Sequence, residues 1–329
     1  MLTRKSIFEF MKDFGIHERI LKIETLQKYL YEDKENYVYC VYTKDKRWVI
    51  HIINDKKYTK EIVEKQNRFA MYLREKGIIT PQRLRCNEEY CMEKRIGGLI
   101  YLVTVEGYLG REIKTVNEHF FCNFGQLIGR IHKFSETYDK EIGLSIIRNN
   151  LIDGNADLKK VFHAGMKDIS ITKGMGQAVK YHNSLVEGIK KVWGNLPYGT
   201  VHGDLGIYNN LRRVGGKLGV IDYNMSGEEV FLGECVIAFY SSIHKYEWKK
   251  ELKNINMDKA LANYLEGYIK EREISTAEKK EFARVSALFD GLFFCKSLIS
   301  EWNQLHQKDT LKKFDNTKKY FDPSLHDFF

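Results

Sequence analysis

Val201-His202-Gly203-Asp204-Leu205-Gly206-Ile207-Tyr208-Asn209-Asn210, followed by Gly219-Val220-Ile221-Asp222-Tyr223, is the stretch on which the reading of this chain turns. Asp204 and Asn209 stand five residues apart, and Asn209 and Asp222 thirteen. Apolar strand-like runs flank them, Gly199 to Val201 before and Leu218 to Ile221 at the end. Taken alone, His-Gly-Asp is a turn, and Val220-Ile221 is a buried strand that happens to end in Asp. A carboxylate, an amide and a second carboxylate at both spacings read better as a site.

The spacing resembles that of protein kinases, which place a catalytic-loop Asp, an Asn five residues on, and a metal-binding Asp at the end of the next strand. His202-Gly203-Asp204 stands where a protein kinase has His-Arg-Asp, and Ile221-Asp222-Tyr223 where it has Asp-Phe-Gly. The His-Gly-Asp form with Ile-Asp-Tyr resembles the aminoglycoside phosphotransferase and choline kinase family of small-molecule kinases. The resemblance runs over residues 26–304 and is strongest over 201–227. It implies an α+β, bilobal protein-kinase-like fold. A small antiparallel-sheet N-terminal lobe would span residues 1–106, and a larger helical C-terminal lobe 107–329. It also implies that Asp204 orients the acceptor hydroxyl and takes its proton. Asn209 and Asp222 would hold Mg²⁺ against the phosphates of a nucleotide, ATP or GTP. Phosphoryl transfer asks a protein mainly for positioning and charge neutralisation. Mg²⁺ takes a few hard oxygen ligands and keeps waters.

Composition is compatible with this. A chain of 329 residues suits about two domains, and 43% hydrophobic residues can fill a core. The 53 basic residues exceed the 44 acidic ones by nine, which suits an anionic ligand such as a nucleotide. No basic block alternates with aromatics, so a nucleic-acid partner is not expected. Cys40, Cys86, Cys91, Cys122, Cys235 and Cys295 have no metal or redox spacing. They read as free thiols in a reducing cytoplasm. The charged N-terminus has no apolar signal core, and no run reaches the roughly eighteen apolar residues of a membrane span.

Working outward, residues 1–20 read as a helix. Leu26–Tyr31, Tyr37–Thr43 and Arg47–Ile53 read as an antiparallel meander. Residues 59–76 form a helix whose apolar stripe is interrupted by Gln66. Leu99–Val105 reads as a buried strand. Glu106-Gly107-Tyr108-Leu109-Gly110 then breaks the pattern. In the resembling family this is the hinge, where the Glu106 carbonyl and the Tyr108 N–H would meet the adenine edge. Beyond it lie helical stripes near 120–134 and 176–193, then helices at 234–249, 257–271 and 276–304. His132 reads as a hydrogen-bonded core histidine. Glu234 stands where the family often has an Asp that braces the catalytic loop. The lysine-rich tail from Gln307 reads as loosely held.

Two positions depart from the family. Its third strand carries a lysine that grips the phosphates, paired with a glutamate on the facing helix. Here those places hold His51 and Gln66. A glutamine can hydrogen-bond an imidazole and fix its tautomer, so His51 and Gln66 are taken together as nucleotide-binding residues. Glu61 and Glu64 remain the alternative helix partners. The reading reached is a cytoplasmic, Mg²⁺-dependent phosphotransferase acting on a hydroxyl of a small molecule. The rival is a catalytically weak kinase-like binding or structural protein, similar to spore-coat kinase-like proteins.

Overall fold

The computed structural model describes residues 3–31, 34–143, 158–166, 170–207, 210–245, 252, 255–306 and 308–329. The chain forms two compact units. One comprises Met1–Glu112, Lys140–Ile142 and Arg212–Asn224. The other comprises Ile113–Asp139, Gly143–Leu211 and Met225–Phe329. The expected boundary at 106/107 falls inside the first unit. The segment ending in Asp222 also belongs to that unit, although it follows the catalytic-loop motif in sequence.

In the first unit, α1 (Arg4–Asp13) precedes β1 (Lys22–Tyr31), β2 (Lys34–Tyr42) and β3 (Arg47–Asn54). Then come α2 (Lys60–Glu75), β4 (Met92–Ile96) and β5 (Leu99–Gly107). The strands make an antiparallel sheet in the order β1-β2-β3-β5-β4. α1 buries Ile7, Phe10 and Met11 against Val41, Ile50, Ile52, Val103 and Val105. α2 starts at the Thr59 cap and buries Val63, Gln66, Phe69, Ala70 and Leu73. β6 (Arg111–Glu112) pairs with β8 (Leu211–Val214), which pairs with β9 (Lys217–Val220). The Val220 N–H donates to the Ile79 carbonyl at 2.8 Å, fixing the end of β9 two residues before Asp222.

The second unit contains α3 (Glu118–Ser135), α4 (Leu158–Gly165), α5 (Lys173–Trp193) and β7 (Tyr198–Val201). It continues with β10 (Gly227–Val230), α6 (Phe231–His244), α7 (Met257–Ile269) and α8 (Thr276–Leu305). α3 and α7 meet backbone to backbone. A Cβ on Gly125 would lie 1.8 Å from the Tyr264 carbonyl oxygen, and one on Gly267 2.0 Å from that of Cys122. The tail corrects the sequence reading. α9 (Lys308–Lys313) and the 3-10 segment Phe314–Phe321 are docked, not loose. Phe314 and Phe321 are buried, and Phe314 meets Phe162 at 5.4 Å between ring centroids. The lysines that suggested a solvated tail flank apolar anchors, so charge density concealed the buried face. No helix among the described residues is long and apolar enough to cross a membrane.

The α3–α7 contact gives a direct test. Gly125→Ala forces the two backbones apart and should destabilise the protein by about 1–3 kcal/mol or more. A urea midpoint equal to wild type would contradict the contact.

Candidate active site

β7 delivers the chain to the loop that starts at His202. Gly203 has a φ of 86°, and a Cβ there would lie 2.1 Å from the Met225 carbonyl oxygen. Only glycine meets both conditions, which explains the Gly of His-Gly-Asp. Asp204 follows and is exposed. Its backbone is held from inside. The buried Asn210 amide donates to the Asp204 carbonyl, and also to the Asp204 carboxylate at 3.3 Å. The Ile207 N–H donates to Ser242 Oγ at 3.1 Å, and Ser226 Oγ donates to the His202 carbonyl at 3.2 Å. Asn209, the expected metal ligand between them, lies outside the described residues.

The loop rests on a buried polar chain. Glu234 on α6 accepts the N–H groups of His202 and Gly203. His132 Nε2 lies 2.9 Å from the same carboxylate, and His132 Nδ1 lies 2.8 Å from the Tyr268 hydroxyl. Arg272 donates to the Tyr268 oxygen at 3.0 Å and to Glu278 at 2.9 Å. Glu278 completes the capping box of α8 with Ser275. A carboxylate only accepts, so His132 carries its proton on Nε2, and Nδ1 accepts from Tyr268. Burial lowers the pKa of His132 below its usual 6.5, against the pull of Glu234. Burial raises that of Glu234, but His132, His202 and the Gly203 N–H outweigh it and hold it below 4.5.

Both groups therefore bind protons more readily when unfolded, so stability falls as pH falls. The decline begins below pH 6.5 through His132 and steepens below 4.5 through Glu234. Melting temperature against pH should show this slope. His132→Gln, which keeps a donor for Glu234, should reduce its upper part, leaving the share of His326, which burial also holds below 6.5. An unchanged slope in that variant would mean the histidine is not held neutral.

In the first unit, Asp222 has a φ of 64°, a left-handed backbone that costs a non-glycine residue about 1–3 kcal/mol. Its side chain is half-buried. Among the described residues its carboxylate has no hydrogen-bond or ion-pair partner. A hard carboxylate so placed fits Mg²⁺, which takes one or two protein carboxylates along with substrate phosphates. Among the described residues no cluster of three His, Cys, Asp or Glu could hold a metal by itself. Tyr223 is buried, with its ring edge-on to Phe69 at 6.1 Å.

His51 and Gln66 take different partners. Gln66 Nε2 donates to the Asn224 carbonyl at 2.8 Å. His51 Nε2 lies 3.4 Å from Glu106 Oε1. The alternative helix acids are engaged elsewhere: Glu64 accepts the N–H groups of Tyr90 and Cys91, and Glu61 pairs with Lys65. The hinge reading also needs correcting. The Tyr108 N–H donates to the Arg47 carbonyl at 2.9 Å. Bonded pairs alternate along an antiparallel ladder, so Glu106, opposite Val49, turns its carbonyl towards β3 as well. Both expected adenine contacts are thus ladder rungs. Instead, the Glu106 side chain is fully buried between His51 and Arg83, with Arg83 at 2.8 Å. Sequence reading missed Arg83 and Asn210. Asn210 was visible as the second of two adjacent asparagines, but Arg83 sits in a segment with no periodicity.

If Gln66 braces Asn224, Gln66→Glu removes a donor and sets a carboxylate against a carbonyl oxygen. The cost should be about 1–3 kcal/mol, and His51→Lys should not recover it. A urea midpoint of the double variant above both single variants would instead support a β3–α2 pair.

Residues 28–229, more than half of the chain, match the phosphotransferase enzyme family, APH. No curated protein sequence matches. An amicoumacin kinase, hAmiN, solved with AMP-PNP, Ca²⁺ and Ami, has a similar structure, with a TM-score of 0.67 at 16% identity. The match covers 97% of this chain and 93% of that one. A microcompartment-associated aminopropanol kinase matches with a TM-score of 0.65 at 13% identity, over 96% and 95% of the two chains. The choline kinase LicA from Streptococcus pneumoniae matches with a TM-score of 0.51 at 14% identity, over 97% and 99%. At such identities the structures establish the fold, which is kinase-like α+β. The family match establishes the rest: the chain belongs to the phosphotransferase enzyme family.

Proposed function

We propose that this protein transfers the γ-phosphate of a nucleotide, ATP or GTP, to a hydroxyl of a small molecule. The observation that carries the reading is the exposed Asp204 on a loop held from beneath by Glu234 and Asn210. A fixed backbone with a solvent-facing carboxylate is what an orienting base requires. Asp204 aligns the acceptor hydroxyl and accepts its proton. Asp222 and Asn209 would hold Mg²⁺, which when bound neutralises phosphate charge. The similar solved structures support small-molecule acceptors, since their titles name an amicoumacin, an aminopropanol and a choline kinase. A cytoplasmic location is supported by six free cysteines.

The rival reading, a kinase-like protein that binds without turnover, is favoured by one observation: His51, in the lysine position, faces Glu106. One set of variants separates the two. Asp204→Asn should lower phosphate transfer by a factor of about 10² to 10⁴ with nucleotide affinity nearly intact. Asp222→Ala should abolish Mg²⁺-dependent nucleotide binding, with Asn209→Ala milder, since a carboxylate brings charge as well as geometry. Acceptor screening with a phosphate-transfer readout and calorimetric titration measure these. Nucleotide binding by wild type, with no transfer to any hydroxyl acceptor, would favour the binding protein.

A further inference from the structure

The first unit lacks the lysine–glutamate pair between third strand and helix, yet it does contain a buried ion pair. Arg83 lies in the segment after α2 that borders β5. The Leu84 N–H donates to the Val105 carbonyl and the Gly107 N–H to the Gln82 carbonyl, each at 2.9 Å. Arg83 is therefore opposite Glu106. Its guanidinium reaches the Glu106 carboxylate at 2.8 Å, and both side chains are nearly inaccessible to solvent. His51 engages the other carboxylate oxygen. The guanidinium also lies 5.7 Å from the centre of the Tyr223 ring. Tyr223 follows Asp222, and Asn224 is held by Gln66. Phe69 closes the Tyr223 ring from α2.

We infer that Arg83 is a positioning residue for Asp222. Anchored on Glu106, it supports the Tyr223 ring, and with Gln66 it holds the adjoining backbone in the left-handed conformation that presents the Asp222 carboxylate. The inference rests on reading Asp222 as a cation ligand. A strained residue persists only where its surroundings over-determine it, and three side chains converge on the two residues that follow Asp222. Arg83 acts on the segment and not on the phosphates, because it is buried and committed to Glu106. The ion pair of this fold has thus moved from β3–α2 to the β5 edge. His51 is its third member and orients the carboxylate.

The test uses the full chain with ATP, with and without Mg²⁺. Arg83→Met alone leaves Glu106 buried and unpaired and endangers the fold. The informative variant is therefore Arg83→Met with Glu106→Gln, which removes both charges. Its affinity for ATP in Mg²⁺ should fall about tenfold, the effect of losing a desolvated cation–ring contact. Affinity for ATP in a chelator should not change. Arg83→Lys, which keeps the charge but loses the guanidinium plane, should fall between. Amide hydrogen exchange over residues 222–225, measured without nucleotide, should quicken in the double variant. Unchanged exchange overturns the inference, as does an equal loss with and without Mg²⁺. Absence of any Mg²⁺ effect in wild type would instead overturn the reading of Asp222 as a ligand, and the exchange measurement would still decide what Arg83 holds.

Discussion

A carboxylate removed from water must be surrounded by donors, and the second unit is arranged around Glu234. Its buried charge is met by the His202 and Gly203 N–H groups and by His132. Loss of one donor would leave the charge uncompensated, at a cost far above an average surface contact. The demand propagates. His132 needs Tyr268, Tyr268 meets Arg272, and Arg272 is neutralised by Glu278 and Glu136. Residues from α3, α6, α7 and the start of α8 are thereby tied to one loop conformation.

The first unit solves a different problem. Two residues past the end of strand β9, Asp222 has a backbone that is unfavourable on its own. The support comes from side chains that sequence comparison with kinases would assign to nucleotide binding or overlook. Gln66 is an instance. An amide in an apolar stripe suggested a partner across the sheet, yet the donor reaches a main-chain carbonyl 158 residues away. His51 is another. The imidazole was expected to pair with Gln66, but the register β3–β5 sets it beside Glu106, so a carboxylate and not an amide meets it. Glu106 was chosen for its carbonyl, whereas its side chain forms the ion pair.

Much of the molecule was nevertheless legible from local patterns. Alternation located β2, β3 and β5 to within a few residues. Helical periodicity located α2, α3, α5, α7 and α8. The first helix was overextended, and the tail was misjudged because Phe314 and Phe321 are sparse among lysines. Between the helical stripes at 120–134 and 176–193 no element was expected, yet α4 lies there, its eight residues too few for periodicity to stand out.

The sequence by itself determined the family and singled out Asp204, Asn209 and Asp222 as candidates, because both rest on residue types at fixed separations along the chain. Only the tertiary structure decided the partners. His51 with Glu106, Glu106 with Arg83, Gln66 with Asn224 and Glu234 with His132 each join residues 23 to 158 apart. Strand register and helix packing set such pairings, and a shift of one residue in a strand exchanges the faces of every side chain it carries.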